Sequence, residues 1–85
     1  TRVCASEWGA LGINVNALAP GWIKTGLSAA LVADTARYES VKARIAMGDW
    51  GEPDVFKGVA VLLASSASDY INGAIIPVDG GYLTK

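Results

Sequence analysis

The stretch INVNALAPGWIKTG, residues 13–26, brings an apolar run to a stop at Pro20-Gly21. It then sets out an indole, an ammonium group and a hydroxyl on Trp22, Lys24 and Thr25. Proline lacks a ladder donor and glycine allows a sharp reversal, so a short open segment follows the run. Such a segment offers main-chain and side-chain groups to a ligand, although many turns of this composition only connect elements. Other chemistry is ruled out by composition. With no histidine, neither histidine catalysis nor histidine metal ligation is available within these residues. No cluster of metal-ligating side chains is visible. Cys4 is the only cysteine, which excludes an internal disulfide, and it reads as a small apolar helix residue in a reducing, cytoplasmic setting. Asp79, followed by Gly80 and Gly81, reads as a residue shaping a strand end, not as an acid.

The elements that must position the loop follow from pattern and breakers. Residues 1–8 carry no breaker and read as the tail of a helix, with Val3, Cys4 and Trp8 on its apolar face and Gly9 and Gly12 as the stop. Residues 13–19 read as a strand with apolar side chains on both faces, as in a covered parallel sheet. Within it, Asn16 is expected to be a buried, satisfied polar group. Residues 27–47 read as helix in two pieces, the second capped by Asp34 or Thr35 with Tyr38, Val41 and Ile45 on one face. Pro53 and Asp54 suit the first turn of a helix over residues 53–64, whose sheet-facing stripe is Val55, Val59, Leu62 and Leu63. Gly58 inside it implies close packing, since glycine costs about 1 kcal/mol there against alanine. Residues 74–78 read as a second strand after a turn at Asn72-Gly73, and Pro77 inside it points to a sheet edge.

The expected architecture is therefore α/β, with two strands and about four helical segments. The chain has 85 residues, enough for one small domain at most. Its apolar content of 52% and charged content of 18% suit a piece of a larger core better than a free-standing domain. Two parallel strands do not make a stable sheet alone, and a helix that begins before residue 1 suggests a chain cut from something longer. A true short gene product is the alternative. Seven basic against eight acidic side chains, without like-charge blocks, give no sign of nucleic acid or an anionic membrane surface. No apolar run reaches membrane-span length, and no signal-peptide pattern is present.

Three segments, EWGALGINVNALAPGWIKTG, GDWGEP and LLASSASDYINGAIIPVDGGY, in this order and spacing, resemble the C-terminal part of a short-chain dehydrogenase/reductase. The resemblance covers essentially the whole chain. It implies the C-terminal portion of a Rossmann-type, doubly wound parallel sheet, so that residues 1–85 form a C-terminal fragment of a single dehydrogenase domain. The two strands would be the last of that sheet. Ligands in such sheets bind beyond the carboxyl ends of the strands, where Pro20-Gly21 lies. By the resemblance the cofactor is NAD or NADP. Pro20 and Gly21 would shape the turn, the Ile23 main chain would bond the nicotinamide carboxamide, and the Thr25 hydroxyl would contact the carboxamide or pyrophosphate. Leu27, Leu31 and Tyr38 would form a lid over the substrate.

The resemblance also implies what is missing. The family transfers hydride with a serine, a tyrosine acid/base and a lysine four residues after it, normally in the helix whose tail is residues 1–8. Tyr38 and Lys42 match that spacing, but inside the lid segment, and GALGIN is not the glycine-rich dinucleotide turn. No catalytic residue is therefore named, and the chain alone is expected to be inactive. Asp49 stands where many relatives carry arginine, a charge reversal that would alter a local ion pair or hydrogen bond. Residues 25–53 resemble members acting on sugar acids, such as gluconate 5-dehydrogenases and 2-dehydro-3-deoxygluconate 5-dehydrogenases, and lie not far from 3-oxoacyl reductases. The implied partners are a small alcohol or ketone substrate and further copies of the chain, as a dimer or tetramer through residues 53–64 and 74–78. In that interface Phe56 and Ala60 would face outward. An oligomerisation segment with no catalysis of its own is the competing reading.

Overall fold

A computed structural model describes residues 1–85. In chain order it contains helix α1 (Arg2–Trp8), strand β1 (Ala17–Pro20), helices α2 (Ala29–Ala33), α3 (Thr35–Lys42) and α4 (Lys57–Ala64), and strand β2 (Ile75–Val78). Short 3-10 turns occupy Gly9–Leu11, Pro53–Phe56, Ser66–Ser68 and Tyr82–Thr84. The strands are neighbours in one parallel sheet, so the expected α/β pattern is present. Residues 1–19 and 56–77 form one unit, and residues 20–55 and 78–85 a second. No helix is long and apolar enough to cross a membrane.

In the first unit, three asparagines do the work of a ladder. Asn14 Nδ2 donates to the Asp69 carbonyl at 3.1 Å, and Asn16 Nδ2 to the Ile71 carbonyl at 3.0 Å. Asn16 Oδ1 accepts from the Ala74 N–H at 3.0 Å, and Asn72 Oδ1 accepts from the Val15 N–H at 2.9 Å. Strand pairing therefore begins at Ala17, four residues later than the pattern predicted, because side chains occupy the main-chain groups that a ladder would use. Asn16 is half-buried with both amide atoms bonded, as expected. Asn72 also reaches α1, donating to the Ala5 carbonyl at 3.1 Å. Ala5 is the buried residue of α1, whereas Val3 and Trp8 are exposed, so the predicted apolar face of α1 is rotated. Gly9 stays helical at φ −57°, and Gly12, at φ +81°, is the residue that ends the segment.

The segment after Pro53 opens as a 3-10 turn and becomes α-helical only at Lys57. Phe56, Val59 and Leu63, spaced as one helix face, are half-buried, whereas Val55 and Leu62 are exposed. Phe56 thus belongs to the inward face and does not point outward as the sequence pattern suggested. Gly58 meets no neighbouring atom within 4 Å of a built Cβ, so close packing does not account for it here. Along β2, Ile75 and Pro77 are exposed while Ile76 and Val78 are half-buried, the alternation of a strand with one covered face.

In the second unit, Asp34 caps α3 by accepting the Arg37 N–H at 3.2 Å. Ile45, predicted on the face of that helix, lies past its end in a turn and is one of the few buried residues. Replacing Asn16 by alanine strands the Ile71 carbonyl and the Ala74 N–H. We expect Asn16→Ala to lower unfolding stability by about 1–3 kcal/mol, and Asn14→Ala, at an exposed bond, by less. Urea denaturation midpoints check the order.

Candidate functional site

The loop after β1 is built by close approach of main chain. The Gly21 N–H donates to the Val78 carbonyl at 3.0 Å. A Cβ on Gly21 would stand 2.6 Å from Asp79 Cβ and 2.7 Å from its Cα, so glycine is required there. Further along, the Gly51 N–H donates to the Trp22 carbonyl at 3.0 Å, and the Lys24 N–H donates to the Gly51 carbonyl at 2.9 Å. These two bonds make a parallel bridge between Ile23 and Gly51. They flank Ile23 and use its neighbours' groups, leaving the Ile23 N–H without an intramolecular partner.

Ser28 closes the loop from the other side. Its Oγ accepts from the Thr25 N–H at 2.8 Å and donates to the Ile23 carbonyl at 2.7 Å. A carbonyl has a second lone pair, so Ile23 can still accept from a ligand. The Thr25 side chain is exposed and its hydroxyl makes no hydrogen bond within the chain. The loop therefore presents one main-chain donor, one shared acceptor and one free hydroxyl.

An aromatic clamp holds the partner segment. Trp50 is 5% exposed and lies tilted against Trp22, with ring centroids 5.5 Å apart. Tyr38 stacks on its other neighbour face at 5.3 Å with planes 7° apart. Trp50 Nε1 donates to the Tyr38 carbonyl at 3.2 Å, and the Tyr38 hydroxyl donates to Asp49 Oδ1 at 2.7 Å. The same Asp49 oxygen accepts from the Trp50 N–H at 2.7 Å. The Tyr38 hydroxyl, and then the Trp50 N–H, hold the Asp49 carboxyl below its ordinary pKa. Lys24 Nζ lies 3.6 Å from Glu52 Oε1 and 5.5 Å from the Tyr38 ring centroid. The Tyr38 phenol beside it is the main cause that raises the Lys24 pKa, against an opposing effect of burial.

Trp22, Ile23, Trp50, Gly51, Val55 and Val78 line a pocket of about 520 Å³, together with Met47, Gly80 and four acidic residues, Asp49, Glu52, Asp54 and Asp79. No cationic side chain lines it. Of the predicted site residues, Ile23 borders this pocket. Exposed Pro20 is the last residue of β1, Gly21 follows it, and Thr25 is exposed further along the loop. Leu27 is fully exposed, Leu31 is half-buried on α2, and Tyr38 packs on Trp50; none of the three lines the pocket. Asp79 Oδ1 accepts from the Gly81 N–H at 2.9 Å and shapes the turn after β2. Sequence reasoning missed Ser28, Trp50 and Trp22 as organisers. The readable signal was a serine three residues after Thr25 and a tryptophan between two turn residues.

The chain belongs to the short-chain dehydrogenase/reductase family. The matching family model, described as enoyl-(acyl carrier protein) reductase, covers residues 1–83. Among individual relatives, the 2-dehydro-3-deoxy-D-gluconate 5-dehydrogenase of Pseudoalteromonas atlantica is 52% identical over 95% of this chain and 32% of its own length. The enzyme of the same name from Bacillus subtilis is 49% identical over 100% of this chain and 34% of its own. The crystal structure of a gluconate 5-dehydrogenase from Burkholderia cenocepacia, in complex with NADP and tartrate, superposes with a TM-score of 0.96 at 41% identity. It covers 100% of this chain and 33% of that protein. The chain thus spans about a third of the length of the relatives it matches.

Two outcomes follow for this site. Gly21→Ala forces the loop away from Asp79 and should cost about 1–3 kcal/mol, seen as a lower denaturation midpoint. Because the folded state lowers the Asp49 pKa, its contribution is present above the unfolded carboxylate value and is lost as pH falls through the lower, folded one. Tyr38→Phe should move the Asp49 titration upward, toward the ordinary value, in carboxyl-carbon NMR.

Proposed function

We propose that residues 1–85 are the C-terminal part of a dehydrogenase domain that moves a hydride between NAD or NADP and a secondary alcohol or ketone of a sugar acid. The observation that carries this reading is the unpartnered Ile23 N–H, held at the pocket edge by bonds on either side of it. A nicotinamide carboxamide carries an acceptor and two donors, which fit the Ile23 N–H, the second lone pair of its carbonyl and the Thr25 hydroxyl. Pro20 and Gly21 set the turn. The bound cofactor supplies the hydride; these residues fix the ring and so choose which face meets the substrate. The sugar-acid substrate class rests on relatives at 49–52% identity that carry the name 2-dehydro-3-deoxy-D-gluconate 5-dehydrogenase.

Leu27, Leu31 and Tyr38 belong to the segment that would cover the substrate, with fully exposed Leu27 free to close on it. The serine and the Tyr-x-x-x-Lys pair would come from the rest of the protein. Copies would associate through residues 53–64 and 74–78, where Val61 and Ile75 expose apolar surface. A diffusible nicotinamide cofactor and a free Cys4 suit a cytoplasmic enzyme.

The test uses the protein that carries these residues, with NADP and with NAD, and the appearance of reduced nicotinamide on adding 2-keto-3-deoxygluconate-type and gluconate substrates. Thr25→Ala should weaken cofactor binding about fivefold, the equivalent of one hydrogen bond. Unchanged cofactor affinity in Thr25→Ala, together with no turnover of any sugar acid, would remove the reading. Val61→Glu should shift the sedimentation profile toward smaller species.

A further inference from the structure

We propose that Tyr38 and Asp49 are positioning residues: together they latch α3 to the Asp49–Gly51 segment and so order the main chain on either side of Ile23. The inference rests on the cofactor reading above for its purpose, but its geometry stands alone.

The latch has two reciprocal hydrogen bonds. The Tyr38 hydroxyl donates to Asp49 Oδ1, and Trp50 Nε1 donates back to the Tyr38 carbonyl. Between them the phenol and indole lie nearly parallel. Asp49 Oδ1 also accepts the Trp50 N–H, which sets the Asp49–Trp50 peptide, immediately before the Trp50–Gly51 peptide. The latter is the one whose N–H holds the Trp22 carbonyl, while the Gly51 carbonyl holds the Lys24 N–H. A change at the Tyr38 hydroxyl therefore reaches the loop through Asp49, Trp50 and Gly51 in sequence. The Lys24 side chain closes the circuit: it spans Glu52 and the Tyr38 ring. Nothing else in the chain reaches Asp49 Oδ1, so the phenol hydroxyl is the group that decides whether this carboxylate stays aimed at Trp50. Tyr38 thereby gains a role different from covering the substrate: it acts behind the loop.

The charged groups facing the latch are Lys24, Lys42 and Glu52, with Lys24 and Lys42 both favouring the Asp49 carboxylate. Those charges act on the carboxylate from outside the hydrogen bonds, so a side chain that accepts but carries no charge should preserve the latch itself. Asp49→Asn keeps an oxygen for the Tyr38 hydroxyl and the Trp50 N–H, whereas Asp49→Ala does not.

The experiment is amide hydrogen exchange, residue by residue, on the protein carrying these residues and on its Tyr38→Phe, Asp49→Ala and Asp49→Asn variants. Tyr38→Phe keeps the stack and loses only the hydroxyl. We expect the Gly51 and Lys24 amides to exchange about three- to tenfold faster in Tyr38→Phe and Asp49→Ala, with rescue in Asp49→Asn. The Ala17, Gly73 and Ala74 amides should keep their rates. An NADP titration on the same samples should show weaker binding in the first two variants and recovery in the third. Unchanged Gly51 and Lys24 exchange in Tyr38→Phe overturns the proposal, as does a uniform rise across all amides, which would mean general loosening. Selective exchange with no NADP binding in any sample upholds the latch and fails the cofactor reading instead.

Discussion

The arrangement depends on one constraint: Gly51 must pair with Trp22 and Lys24 without touching the polar groups of Ile23. A parallel bridge does this by geometry, since its two bonds reach the residues before and after the one it faces. The result is a rigid peptide whose own N–H stays available. A site made from main chain is indifferent to the side chain that carries it, which explains why the apolar Ile23 can stand at a polar task. Its demands fall on other positions. Gly21 must lack a Cβ because of the Asp79 main chain, whereas a Cβ on Gly51 would meet the tip of the Ile23 side chain, Cδ1 at 2.7 Å, and displace it.

Magnitudes decide what holds that bridge in place. The Lys24–Glu52 pair is solvated and screened, and pairs of that kind contribute little to stability. Trp50 is nearly buried between Trp22 and Tyr38, and aromatic pairs contribute about 0.5–1.5 kcal/mol each beyond the area they remove from water. The clamp is therefore mainly apolar, with the hydrogen bonds of Tyr38 and Trp50 giving it direction. Salt should leave its packing alone and weaken only the outer lysine.

Most of the element plan was legible before any coordinates. The Pro20-Gly21 stop, the Asp34 cap, the Asn72-Gly73 turn and the α/β order each depend on local chemistry that a short window of sequence contains. The strand start at Ala17 was not legible, because it is decided by Asn14, Asn16 and Asn72 across more than fifty residues of chain. Periodicity likewise misplaced Phe56 and Ile45: a 3-10 turn at Pro53–Phe56 rotates the first, and the early end of α3 at Lys42 frees the second. Asp49 could be recognised only as a departure from arginine. What it holds became visible once Tyr38 was seen beside it, eleven residues away.

The turn at Asn72-Gly73 has a consequence for chemical ageing. An asparagine followed by glycine is the pairing most open to deamidation, because the next amide nitrogen can attack the side-chain carbonyl and close a succinimide. Here that nitrogen is engaged by the Val15 carbonyl at 2.8 Å, while the Asn72 oxygen and nitrogen are tied to Val15 and Ala5. Cyclisation would have to free the attacking nitrogen from Val15 and release the Asn72 side-chain nitrogen from Ala5, so the same bonds that stand in for a ladder also slow this decay.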